Sequence, residues 1–200
     1  MNRLGIIVDL SHTAASTMRD VLGGTNEKDW SGSLAPVVFN HSSAYAICPH
    51  PRNVPDDVLH LVKARNSLVM VTFFPDFVSC CNLEGGNKNG IPERYNANLT
   101  ISQVVKHMRY IGDLIGYDHV GIGSDFDGMP APPRGLEDVT KYPDLVAEML
   151  RQGISDADAR LVVGKNLLRV WGDVDRVARE MQEDGVMPAE DDLPPAKKPW

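Results

Sequence analysis

Two histidines and one aspartate stand at equivalent places in the chain, each just after a short apolar run. Ile6-Ile7-Val8-Asp9-Leu10-Ser11-His12 closes on His12, Pro36-Val37-Val38-Phe39-Asn40-His41 closes on His41, and the run from His119 to Gly123 leads through Ser124 to Asp125. In parallel α/β folds the reactive groups sit where strands end and loops begin, so a titratable side chain at that point carries chemical information. Imidazole is the commonest nitrogen ligand for zinc, and ligands from neighbouring strands converge without any local motif. One such histidine reads as a helix cap or a hydrogen-bonded core residue; the repetition favours metal ligands. A carboxylate beside a metal-activated water takes up its proton or binds a substrate ammonium, which is the role expected for Asp125. Asp127 is expected to cap its own loop. Asp9 lies three positions before His12, on the opposite face of a strand, and is assigned to structure. Gly121-Ile122-Gly123-Ser124-Asp125-Phe126 is no dinucleotide loop, because Phe126 stands where the third glycine would be.

The elements that would position these groups follow from periodicity. Four buried strands are expected at 4–10, 36–40, 68–74 and 119–123, rich in Val, Ile and Phe. Helical patterns alternate with them: one capped by Thr13 and stopped at Gly23-Gly24, one begun by Asn53-Val54-Pro55-Asp56 with Val58, Leu59, Leu61 and Val62 on a face, and one opened by the capping-box pair Thr100 and Gln103. A last helix, announced by Ser155 and Asp158, carries Leu161, Val162, Leu167, Leu168, Val170 and Trp171. A spacing of about 32 residues in the first two steps is that of βαβ units, so the sheet should be parallel. Four such units are half of a (β/α)8 TIM-type barrel, which alone would expose two strand edges and an open core. Residues 1–182 are expected to form this partial barrel domain, and 183–200, rich in Pro, Asp, Glu and Lys, a frayed polar tail. A glycine-rich stretch at 84–90 reads as a loop at the mouth of the site or a surface insertion.

The 200 residues are 42% apolar and 24% charged, with a net charge of −7. That balance suits one domain with a real core and argues against nucleic-acid or anionic-membrane partners. No signal peptide, membrane span or lipid-anchor signal is visible, so a cytoplasmic location is the default expectation. Three cysteines are an odd count, and adjacent Cys80 and Cys81 cannot bridge each other without severe strain, so no disulfide is expected and a reducing compartment is favoured.

His41-Ser42-Ser43-Ala44-Tyr45, Arg52-Asn53-Val54-Pro55-Asp56-Asp57, Gly123-Ser124-Asp125-Phe126-Asp127-Gly128 and Gly135-Leu136-Glu137-Asp138-Val139 together resemble the membrane (renal) dipeptidase family. The likeness runs from about Leu4 to Trp171. It implies a (β/α)8 metallohydrolase with two Zn2+ ions that cleaves the peptide bond of dipeptides, homodimeric when complete. By that likeness His12 and His41 ligate one zinc, Arg52 holds the substrate carboxylate, and Asp125 acts beside the metal-activated water and the substrate amino group. The planar fork of Arg suits a carboxylate. From its neighbours alone Arg52 reads as a surface arginine.

The family's His-x-Asp pair, its bridging glutamate and a further histidine have no counterpart in this chain, and the stretch at 23–30 looks longer than the family pattern. The resemblance therefore implies the C-terminal half of a zinc dipeptidase, with Met1 an internal methionine of a longer protein, or else two copies pairing to close a barrel. Little activity is expected of the chain alone, and poor solubility or self-association. The alternatives are a catalytically silent half-barrel that binds at most one metal or associates with a partner half, and another metal-dependent amidohydrolase, which would not need Arg52.

Overall fold

The computed structural model describes residues 1–24, 30–81 and 90–188. The expected glycine-rich loop, most of the 23–30 segment and the tail from 189 lie outside the described residues.

Strands form where the apolar runs were read, but shorter: β1 (Val8–Asp9), β2 (Val37–Phe39) and β3 (Leu68–Val71). Helix α1 (Ala15–Val21) joins the first pair and α2 (Asp56–Ala64) the second. After β3 come a one-turn helix α3 (Pro75–Val78) and a two-stranded antiparallel ribbon, β4 (Cys80–Cys81) with β5 (Glu93–Arg94). The long α4 (Ile101–Ile115) then leads into β6 (Val120–Ile122). Strands β1, β2, β3 and β6 make one parallel sheet in that order, with Val8 opposite Val37, Val38 opposite Leu68 and Val69 opposite Val120. The alternation of strand and helix read from the sequence is borne out.

Side chains alternate across β2 and β3. Val37, Phe39, Val69 and Val71 pack with Val58, Leu59 and Val62 of α2 and with Val104, Val105, Met108 and Ile111 of α4 in the main core. Val38 and Leu68 face the other way, onto Val170, Val174 and Val177 of α7 (Asn166–Glu183). Burial of each such side chain contributes roughly 1.5–3 kcal/mol, which is why the sheet holds with short strands. Arg169 of α7 donates to the carbonyls of Asn66 and Asp118, which precede β3 and β6, so α7 crosses the amino-terminal end of the sheet. The carboxyl ends of the strands remain for chemistry.

Four local expectations need correction. Thr13 does not cap α1; its hydroxyl donates back to Leu10 O, and Ala14 takes the cap position. Thr100 does accept from Gln103 N, but the Gln103 amide reaches to Val78 O instead of closing the capping box. A further helix, α5 (Tyr142–Arg151), buries Leu145 and Met149 with Pro143 in its first turn. The single helix read after Ser155 is interrupted: α6 (Asp156–Arg160) passes through a π turn at Leu161–Lys165, where Gly164 leaves helical geometry, before α7 begins. The inserted turn rotates the apolar stripe, so Val162 and Val170 are buried while Leu168 and Trp171 are exposed at 70% and 55%.

Candidate active site

Asp9 ends β1 with its carboxylate folded back on the backbone. Its Oδ1 accepts from Ser11 N at 3.0 Å and from Asn40 N at 3.1 Å, stitching the turn after β1 to the turn after β2. The structural role expected for Asp9 is therefore what it performs. Ser11 Oγ adds a second stitch by accepting from His41 N at 3.1 Å. These ties set the two imidazoles face to face: the Nε2 atoms of His12 and His41 lie 2.8 Å apart, with ring planes inclined by 58°.

His41 Nδ1 is hydrogen-bonded to Asn40 Oδ1. A carboxamide oxygen only accepts, so Nδ1 carries the proton and Nε2 offers a lone pair. That lone pair also receives a hydrogen bond from Arg52 Nη2 at 3.0 Å. Burial pushes the His41 imidazole below its ordinary value; the Asp125 carboxylate opposes that shift, and the Arg52 and His12 charges add to it. His41 is thus neutral at pH 7, the form in which a histidine ligates metal. Burial also lowers the Arg52 guanidinium, against the carboxylates of Asp125 and Asp9. Asp125 therefore acts on both His41 and Arg52 through its charge. Of the four residues named from the sequence, His12, His41 and Arg52 are in direct contact, while Asp125 reaches His41 and Arg52 through its charge alone.

Two backbone features mark this corner. His12 (φ 66°) and Asp125 (φ 64°) adopt the left-handed conformation, which non-glycine residues populate at a cost of about 1–2 kcal/mol. In the turn Phe126–Gly128 after Asp125, a Cβ at Gly128 would meet Asp125 Oδ1 and displace the carboxylate from its present position. Gly123 is forced, because a Cβ there would strike the carbonyl oxygen of Asn40. Asp127 is exposed within the same turn.

Arg52 is anchored more firmly than a surface arginine. Its guanidinium lies over the Phe77 ring, 4.8 Å from the centroid, and its backbone N–H donates to His50 Nδ1 at 3.1 Å. Its neighbour Asn53 is buried and fully used: Oδ1 accepts from Ser43 N, and Nδ2 donates to Cys48 O and Phe77 O. His107 of α4, also buried, accepts from Ala44 N at Nδ1 and donates from Nε2 to Val78 O. The sequence reading missed Phe77, Asn53 and His107 as parts of the site. Phe74 and Phe77, three apart on one helical turn, were the available signal for the first.

A disulfide joins Cys48 to Cys80, with Cα atoms 5.4 Å apart, and Cys81 stays free. The expectation of no disulfide is overturned. Adjacency excluded only the Cys80–Cys81 pair, and the fold brings the loop after β2 against β4. Among the described residues no helix is long and apolar enough to cross a membrane.

The donor set suits zinc in type: two imidazole nitrogens from the ends of adjacent strands, 2.8 Å apart. Ligation at about 2.0–2.1 Å in tetrahedral geometry would separate the nitrogens by roughly 3.3 Å, a small opening from the observed contact. Among the described residues no group of three or more His, Cys, Asp and Glu side chains converges to hold a metal ion. The residues present fit part of a zinc shell.

Residues 1–185 match the model of the membrane dipeptidase family, peptidase family M19. The dipeptidase aclJ of Aspergillus oryzae is 46% identical over 195 residues, covering 98% of this chain and 41% of that protein. Among solved structures, a metallopeptidase from Rhodobacter sphaeroides bound to a phosphinate mimic of the dipeptide L-Ala-D-Ala is 31% identical, with a TM-score of 0.70 over 86% of this chain and 44% of its own. The probable dipeptidase PvdM of Pseudomonas aeruginosa is 25% identical, with a TM-score of 0.73 over 88% of this chain and 52% of its own. The chain thus spans about two fifths to one half of the length of these relatives. With the parallel fold, the paired imidazoles and the family match over residues 1–185 in hand, the chain belongs to the membrane dipeptidase family, peptidase family M19.

Proposed function

We propose that this chain supplies the substrate-carboxylate clamp and half of the metal shell of a zinc-dependent dipeptidase. The observation that carries the reading is His41 Nε2, at the carboxyl end of β2, lying 2.8 Å from His12 Nε2 after the adjacent β1 and 3.0 Å from Arg52 Nη2. His12 and His41 would hold one zinc. When bound, zinc lowers the pKa of a water and polarises a scissile carbonyl. Asn40 keeps the His41 proton on Nδ1 and so keeps Nε2 free as a ligand. Arg52 binds the substrate carboxylate with its planar fork, and Asp125 receives a proton or holds the substrate ammonium.

The sheet is half of a (β/α)8 barrel in this reading, since among the described residues β1 pairs only with β2 and β6 only with β3. The remaining zinc ligands come from polypeptide that completes the barrel, and the 200 residues alone turn over little dipeptide. The complete protein acts as a homodimer.

A second reading, a catalytically silent association module, draws on one observation: Arg52 donates into the lone pair of His41 that a metal would use. Metal analysis separates the two. In the full-length protein His41→Ala should lose one of two zinc ions per chain; unchanged stoichiometry would remove the ligand assignment.

A further inference from the structure

Arg52 carries its charge in an unusual setting. Among the described residues no carboxylate lies within ion-pair distance of it, while its Nε is buried without a hydrogen-bond partner. Asp125 and Asp9 act on it only through their fields. The group in direct contact with the cationic plane is the Phe77 ring, 4.8 Å from centroid to Cζ.

That ring is itself fixed. Phe77 is 6% exposed, stacks on Phe74 at 4.5 Å with planes 20° apart, and meets His50 at 4.6 Å. Its carbonyl accepts from Asn53, the residue after Arg52, so ring and guanidinium are tied through the backbone as well. The Cys48–Cys80 bridge closes the same block from the other side.

We infer that Phe77 is a positioning residue for carboxylate recognition, an aromatic platform that holds the Arg52 guanidinium flat and leaves its remaining edge for the incoming carboxylate. The inference rests on the carboxylate role proposed above for Arg52. The physical basis has two parts. An aromatic face carries negative electrostatic potential and stabilises a cation where water is partly excluded, without neutralising it as a carboxylate would. A guanidinium held in one plane also loses less rotamer freedom when its bidentate bonds form. A carboxylate partner in place of Phe77 would compete with the substrate; a ring does not.

The test uses the full-length protein, in zinc-loaded and metal-free forms, with Phe77 replaced by mono-, di- and trifluorophenylalanine. Fluorination drains the ring's negative face while nearly preserving its shape, so a packing role would be unmoved. The probes are a reduced-bond dipeptide, which is not hydrolysed, and its C-terminal amide, with binding read by calorimetry. Expected is a stepwise loss of affinity for the carboxylate form, reaching about 2- to 30-fold, with the amide unchanged. Arg52→Ala is the control. If Arg52→Ala abolishes the preference for carboxylate over amide but fluorination leaves it intact, the platform inference is overturned and the Arg52 role stands. If Arg52→Ala leaves the preference intact, both fall.

Discussion

The loops after β1 and β2 hold site residues in opposite ways. Around Arg52 the chain is buried and densely tied: Asn53 makes three hydrogen bonds, His107 two, Phe77 stacks on Phe74 and meets His50 at a tilt, and a disulfide joins Cys48 to Cys80. Around His12 it is exposed, with a left-handed backbone at His12 and again at Asp125. One corner is a block of interlocked side chains made within this chain. The other places ligands at a cost in backbone energy and with an incomplete donor set, as expected where strain is held for a function that other groups must complete.

Removing a tie from the buried corner should produce the largest effect. Asn53→Ala leaves Ser43 N and Phe77 O without partners in a buried place and takes one of the two donors from Cys48 O, and should cost about 3–5 kcal/mol in unfolding free energy, measured by urea denaturation. A loss under about 1 kcal/mol would mean that the corner is not the interlocked block described.

Acid attacks the same corner. Burial lowers His107 to about 4 from an ordinary 6.5, against the favourable hydrogen bond to Val78 O. The unfolded chain therefore binds the proton more readily than the folded one, so stability is full above pH 6.5 and falls between 6.5 and about 4. The loss approaches about 3 kcal/mol at the bottom of that window. His41, His50 and His119 are lowered by burial too and slope the same way. His107→Gln should therefore flatten the pH dependence of the denaturation midpoint without abolishing it.

The strained corner should respond in the opposite sense. His12→Gly relieves a left-handed non-glycine residue and should raise the stability of the metal-free protein by about 1 kcal/mol while abolishing its share of zinc binding. Destabilisation by thermal melting would deny that His12 is held at a cost.

Much of the scaffold was legible because apolar runs and helical spacing are local signals. The runs at Val37–Phe39 and Leu68–Val71 and the stripe from Val104 to Ile115 could be read without knowing what they touch. Trp171 and Leu168 were misread because the π turn at Leu161–Lys165 changes the helical phase, and nothing in the spacing of apolar residues reveals an inserted turn. The strand-end rule located His12, His41 and Asp125, since position along the chain fixes it. Arg52 was visible only through the family likeness, Asn53 only as a motif and helix-start residue, and Phe77 and His107 not at all, because the bonds that tie them in span 24 to 63 residues of sequence. The disulfide was missed for the same reason.

We propose above that this chain holds the substrate carboxylate through Arg52 and supplies only part of a metal site. Zinc titration of the 200-residue chain by calorimetry, with dipeptide turnover followed on the same sample, tests it most directly. The account predicts one weak zinc site that disappears in His12→Ala, with negligible turnover. Tight binding of two zinc ions per chain together with dipeptide hydrolysis would contradict it.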